Sequence, residues 1–217
     1  MVPNRFDRFL PLAGVLAGLL FIVGLVLNRT DPSSETGPAK TFAYWQANHG
    51  QHQIVGLLVA PVIAFLLLFF GAGLKRRLDQ ASGESGYGSV AFAGAILAAA
   101  MFALVGMLEG AMANAAHRGQ EQAVYTLNQL HSYDWLGWNA AFAAVLLATG
   151  IGARRSGLLP APLVWATIAI GVSLLTPVGF FGFLLLPLWL IVVGAWLSRS
   201  TTTAPEPVSS WEIAVER

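Results

Sequence analysis

Six uncharged apolar runs alternate with short polar stretches along the chain, at 10–27, 54–74, 90–113, 135–151, 163–178 and 180–197. A bilayer's hydrocarbon core takes about 20 helical residues, with a working range of about 17 to 25. Each run therefore predicts a transmembrane helix, and the sum is an all-α bundle of six spans within residues 1–199. The last two share a stretch too long for one crossing, and Thr176, Pro177, Gly179 and Gly182 divide it. The first follows Arg5 and Arg8 and lacks a small-residue cleavage site, which predicts a retained helix, with a removed signal as the alternative.

The polar stretches fill in the connections. In 28–53 a turn-rich half, TDPSSETGPAK, precedes Trp45, His49 and His52, whose spacings of four and three predict a short helix lying on the membrane surface. Residues 79–89 read as a flexible turn and 119–130 as a partly helical connection, while 200–217 read as a disordered cytoplasmic tail. Pro61 falls inside the second span, where neighbouring groups repair a freed carbonyl.

Basic residues orient the bundle. Arg5, Arg8, Lys75, Arg76, Arg77, Arg154, Arg155 and Arg199 fall on one side, against Arg29, Lys40 and Arg118 on the other. Basic loops stay inside, so both termini are expected in the cytoplasm. Trp45, Trp135 and Trp138 then mark the outer interface, and Trp165 and Trp196 the inner one.

Composition narrows the class. Only 11% of the 217 residues are charged and 56% are hydrophobic, whereas soluble domains carry about 25% charged residues. The chain has no cysteine, which excludes disulfides, thiolate metal sites and cysteine nucleophiles. A net charge of +1 gives no field for nucleic acid. Arginine, alanine and glycine are plentiful and lysine is confined to Lys40 and Lys75, the bias of a high-GC bacterial genome. The expected location is a bacterial inner membrane, with the lipid bilayer as the first partner.

The third span carries small residues four apart: Gly94 and Ala98, Ala99 and Ala103, Gly106 and Gly110. Small residues let helix backbones approach in lipid, so this helix is expected at the bundle centre. A shift of 79 residues aligns His52 with His131, Gly71 with Gly150, Gly73 with Gly152 and the Lys75-Arg76 pair with Arg154-Arg155, which reads as a parallel internal repeat.

Residues 130–134, Leu-His-Ser-Tyr-Asp, open the fourth span, and Ser156-Gly157-Leu158-Leu159-Pro160 closes it. This order resembles the bacterial family called domain of unknown function 4386 over residues 127–171. The family has the acid directly after the histidine, where this chain interposes Ser132 and Tyr133. The resemblance implies a polytopic membrane protein and carries no activity.

All four histidines, His49, His52, His117 and His131, fall on the predicted outer side, with Glu109, Asp134, Asn114 and Asn139. Three readings follow. In the first the protein is non-enzymatic, needs no cofactor, and acts through helix packing with itself or a membrane partner; its histidines are interfacial and Asp134 approaches a helix N-terminus. In the second the imidazoles and carboxylates bind a transition metal, or His52 and His131 a haem, for redox or metal-dependent catalysis. In the third Glu109 couples a proton to transport or sensing, because an ionisable residue within a span is functional by default.

Overall fold

The structure, a computed structural model, describes residues 5–28, 31–82 and 86–199, which are mostly helical, with no strand among them. The tail 200–217 and Arg29 lie outside the described residues. Eight α-helices follow in order: α1 (Arg5–Leu27), α2 (Pro38–Ile54), α3 (Ala60–Ser82), α4 (Tyr87–His117), α5 (Glu121–His131), α6 (Trp135–Ser156), α7 (Ala161–Ser173) and α8 (Gly179–Arg199). A π-helical turn, Val55–Val59, joins α2 to α3.

Five helical stretches are long and apolar enough to cross a membrane: Phe9–Leu27, Pro38–Ala81, Tyr87–His117, Glu121–Ser156 and Gly179–Arg199. The chain is thus a multi-pass membrane protein by length and composition. The expected fifth span, 163–178, is shorter. Its helix α7 has 13 residues, about 20 Å at 1.5 Å per residue, against a core of about 30 Å. Pro177 explains the early stop, since the residue before proline disfavours helical geometry. The Thr176 hydroxyl then donates to Ser173 O at 2.7 Å, and Gly179 N donates to Thr176 O at 2.9 Å.

α4 packs along both α3 and α6, while α1 packs on α3 and α8. Its small residues make these contacts possible. A Cβ on Gly94 would meet the Val145 backbone N of α6 at 2.9 Å, and one on Gly110 would meet the Leu57 side chain at 2.8 Å. Gly106 lies against the carbonyl of Gly56, and Ala98 is fully buried. The Gly94, Ala98, Gly106 and Gly110 stripe therefore packs within the chain.

Two cores result. The larger runs through α1, α3, α4, α6 and α8 and includes an aromatic cluster in which Trp138 lies 4.0 Å from Phe102 and 5.9 Å from Phe183, centroid to centroid. The smaller, of Trp45, Leu108, Met112, Ala115, Ala116 and Val124, fastens α2 and α5 onto the end of α4. Two expectations are corrected here. Trp45 and Trp138 are not interfacial but buried, and α2 is a 17-residue helix packed on α4 and α5 rather than a short one lying on the surface. The expected flexible turn at 79–89 also narrows, because α3 runs to Ser82 and Asp79 pairs with Lys75 one turn back.

The 79-residue shift relates buried positions of α3 to buried positions of α6, while in α2 and α5 the buried His52 corresponds to a half-buried His131. Ile63, Leu67, Phe70, Gly71, Gly73 and Leu74 are buried, and so are Phe142, Leu146, Thr149, Gly150, Gly152 and Ala153. Trp45 and Val124 correspond in the smaller core. At the other end of the bundle, Arg154 sits 4.7 Å from the Trp165 ring and Arg155 5.3 Å from the Tyr87 ring. The two ends are thus chemically distinct, one rich in arginine and one in histidine.

Candidate functional site at the histidine end

The π turn begins the site. Pro61 has no N–H to give to Leu57 O, and the ladder widens so that Ala60 N donates to Val55 O instead. Gly56 falls within the widened turn, where a Cβ would stand 2.7 Å from Gly106 O and 3.0 Å from Glu109 Cβ. Only glycine permits that approach, and it brings the end of α2 onto the polar end of α4.

His52 is fully buried there, its ring 4.1 Å from that of Trp45. Its Nδ1 faces Glu109 Oε2 at 3.5 Å, and its Nε2 lies 3.1 Å from the Tyr44 hydroxyl. Tyr44 donates its single hydrogen to Asp31 Oδ1 at 2.8 Å. With that hydrogen engaged, the Tyr44 oxygen is left to accept from His52 Nε2. A proton carried on Nδ1 would point at Glu109 Oε2 across that contact. Glu109 is 2% exposed, and its Oε1 accepts from Asn28 Nδ2 at 2.7 Å.

The connection after α1 is pinned over this group. Asn128 of α5 accepts from Trp45 Nε1 at 3.1 Å, Gln129 Nε2 donates to Ser34 O at 3.0 Å, and Gln51 Nε2 donates to Leu27 O at 2.5 Å. Burial raises the Asp31 pKa above its ordinary 3.8; the Tyr44 hydrogen bond and the His52 charge oppose this without cancelling it, and Glu109 adds to the rise.

His131 and Asp134 complete the mouth. His131 Nδ1 lies 2.9 Å from Asp134 Oδ2. Asp134 holds the N-cap position of α6, at the helix N-terminus as expected, but makes no side-chain cap and pairs with His131 instead.

Beneath this group lies a cavity of about 1260 Å³. Its walls are largely aromatic and aliphatic, with Phe21, Phe102, Trp138 and Phe183 among them, while Asn28, Asp31, Glu109, His131 and Asp134 line its polar end. Among the described residues, the buried side-chain polar atoms without a hydrogen-bond partner are Asn28 Oδ1, His52 Nδ1, Glu109 Oε2 and His131 Nδ1. All four belong to this one site.

The expected residues therefore divide. His52, Glu109, His131 and Asp134 come together, and Asn139 lines the cavity. His49 and His117 form a separate pair with ring centroids 5.3 Å apart, and Asn114 is exposed. Among the described residues no three His, Asp or Glu side chains are arranged to hold a metal ion. A haem between His52 and His131 would require His52 to leave Tyr44 and Glu109. Sequence reasoning missed Asn28, Asp31 and Tyr44, whose local patterns read as loop and surface helix.

No family model matches the chain, and neither a curated protein nor a solved structure shows significant similarity to it.

Proposed function

We propose that this is a six-crossing protein of a bacterial inner membrane, with cytoplasmic termini, that binds an amphipathic small molecule at its outer face. The carrying observation is the cavity, whose apolar walls suit a hydrocarbon body and whose polar end is lined by Asn28 and Glu109, each with an unpartnered oxygen. Sites of this kind bury most of a ligand against apolar side chains and orient it with a few polar groups. The orientation rests on the basic residues Arg76, Arg77, Arg154 and Arg155 at the opposite end. Membership in domain of unknown function 4386 is proposed on residues 130–134 and 156–160 alone.

The His52 and Glu109 contact favours a second reading, in which binding is coupled to a proton held between them and reached through Tyr44 and Asp31.

Gly24 provides the test, because it lines the cavity and a Cβ there meets nothing within 4 Å. Native mass spectrometry of delipidated protein with added decyl amphiphiles should show one bound per chain, lost in Gly24→Trp. Equal binding by both proteins would overturn the reading. The absence of cysteine allows orientation to be tested separately. An impermeant thiol reagent on intact cells should label Gly50→Cys and spare Ser156→Cys.

A further inference from the structure

The chemistry of the unpartnered atoms goes beyond a generic polar head. Glu109 Oε2 and Asn28 Oδ1 are acceptors only, and both residues line the cavity. Glu109 is 2% exposed, so leaving Oε2 unpaired costs it the hydration that it had in water. A ligand that satisfies both atoms must bring hydrogen-bond donors, and an anionic head brings none.

Charge points the same way. Asp31, Glu109 and Asp134 contribute three carboxyl groups to the polar end, and among the described residues no lysine or arginine lines the cavity. The groups facing Glu109 are Asn28 just after α1 and His52 from α2, with Asp31 of the connection and His131 of α5 nearby. His131 lies against Asp134, so that pair adds no net positive charge to the mouth even when the imidazole is protonated. Trp135 and Trp138 also line the cavity, and an indole face attracts a cation within about 6 Å of its centre.

Resting on the cavity reading above, we infer that the ligand is a primary alkylamine in its ammonium form, its N–H groups donating to Glu109 and Asn28 and its chain lying among Phe21, Phe102 and Phe183. A quaternary ammonium would keep the charge attraction but offer no hydrogen to either orphaned oxygen. A carboxylate or sulfate head would meet like charge. The choice of a primary amine over a quaternary one is therefore set by the hydrogen bonds, and the choice of cation over anion by the carboxyl groups.

The experiment compares decylammonium, decyltrimethylammonium, decanol and decanoate at pH 7 on the full chain in maltoside micelles, read by native mass spectrometry and tryptophan fluorescence. Decylammonium should bind at least ten-fold tighter than each of the others. Glu109→Gln should abolish that preference, and Asp134→Asn, at the partly exposed mouth, should reduce it several-fold in a protein that still elutes as a single species. Equal affinities for the four compounds, all lost in Gly24→Trp, would overturn the amine inference and leave the cavity reading standing. Tight trimethylammonium binding would overturn the hydrogen-bond assignment, and retention of the amine preference in both carboxyl variants would overturn the site. Binding of none of them, or binding unchanged in Gly24→Trp, would overturn the cavity reading itself.

Discussion

His52 Nδ1 and Glu109 Oε2 face each other at 3.5 Å in the protein interior, and neither atom has a hydrogen-bond partner. The two residues lie on different helices, so their relation reports how α2 and α4 are held together. Removing one member leaves the other buried and uncompensated, at a cost of about 3–5 kcal/mol. His52→Ala should therefore lower thermal stability sharply in detergent, and the His52→Ala, Glu109→Ala double variant should lose less than the sum of the singles. Strict additivity in a melting experiment would show that the pair is not coupled.

Asp31 gives the stability a pH dependence. Its folded pKa is raised, chiefly by burial, above the ordinary 3.8. Its contribution is fully present below the unfolded value and is lost as pH rises through the folded one. Between about pH 4 and neutrality, the native chain should lose stability relative to Asp31→Asn, which keeps an acceptor for Tyr44 and has no charge to bury. Parallel stability curves for the two proteins over that range would contradict this assignment.

The glycine contact between the π turn and α4 predicts a pair of opposite outcomes. Gly56→Ala places a methyl group 2.7 Å from Gly106 O and should destabilise by about 1–3 kcal/mol, the usual cost of overpacking. Gly50→Ala, in α2 with nothing within 4 Å, should instead stabilise by about 0.5–1 kcal/mol through helix propensity. Thermal unfolding in micelles separates them, and a stabilised Gly56→Ala would mean that the two backbones are not in contact.

The short helix α7 is held to α8 by one buried side-chain hydrogen bond, in which Trp189 Nε1 donates to Thr167 Oγ1 at 2.9 Å. Thr167→Val leaves the indole N–H unpaired at a cost of about 1–3 kcal/mol. Thr149→Val removes a hydroxyl that donates only to Val145 O of its own helix, and should cost less. Limited proteolysis near 174–178 should rise in the first variant and not in the second.

The parts of this fold that depend on local pattern were legible in the sequence. Five of the six apolar runs lie in helices long enough to cross a membrane and the sixth forms the shorter α7, while Gly94 and Gly106 of α4 lie where backbones meet and Ala103 is exposed. The 79-residue shift, a sparse match in residue identity, recurs in which positions of α3 and α6 are buried. What escaped depends on partners distant along the chain. Trp45 sits in a polar segment and reads as interfacial, yet α4 and α5 close over it and Asn128 takes its N–H. Asp31 lies among turn residues, and only the path of the chain after α1 brings it to Tyr44. His52 and Glu109 are 57 residues apart, and no spacing rule links them. The spans predict one side for all four histidines, but a shared side does not distinguish the buried His52 from the His49 and His117 pair.

The π turn at Val55–Val59 acts as an angular offset between two otherwise continuous helices. One residue of an α-helix is worth about 100° of rotation. Without the extra residue that the i to i+5 bond accommodates, α2 would be turned by that angle relative to α3, carrying His52 away from Glu109 and Tyr44 away from Asp31. The alignment of the polar group is thus encoded less in the histidine and the carboxylates than in Gly56 and Pro61, two residues with no chemistry of their own. A search for proteins that share this site would do better to look for a glycine and a proline five residues apart just after a histidine than for the histidine alone.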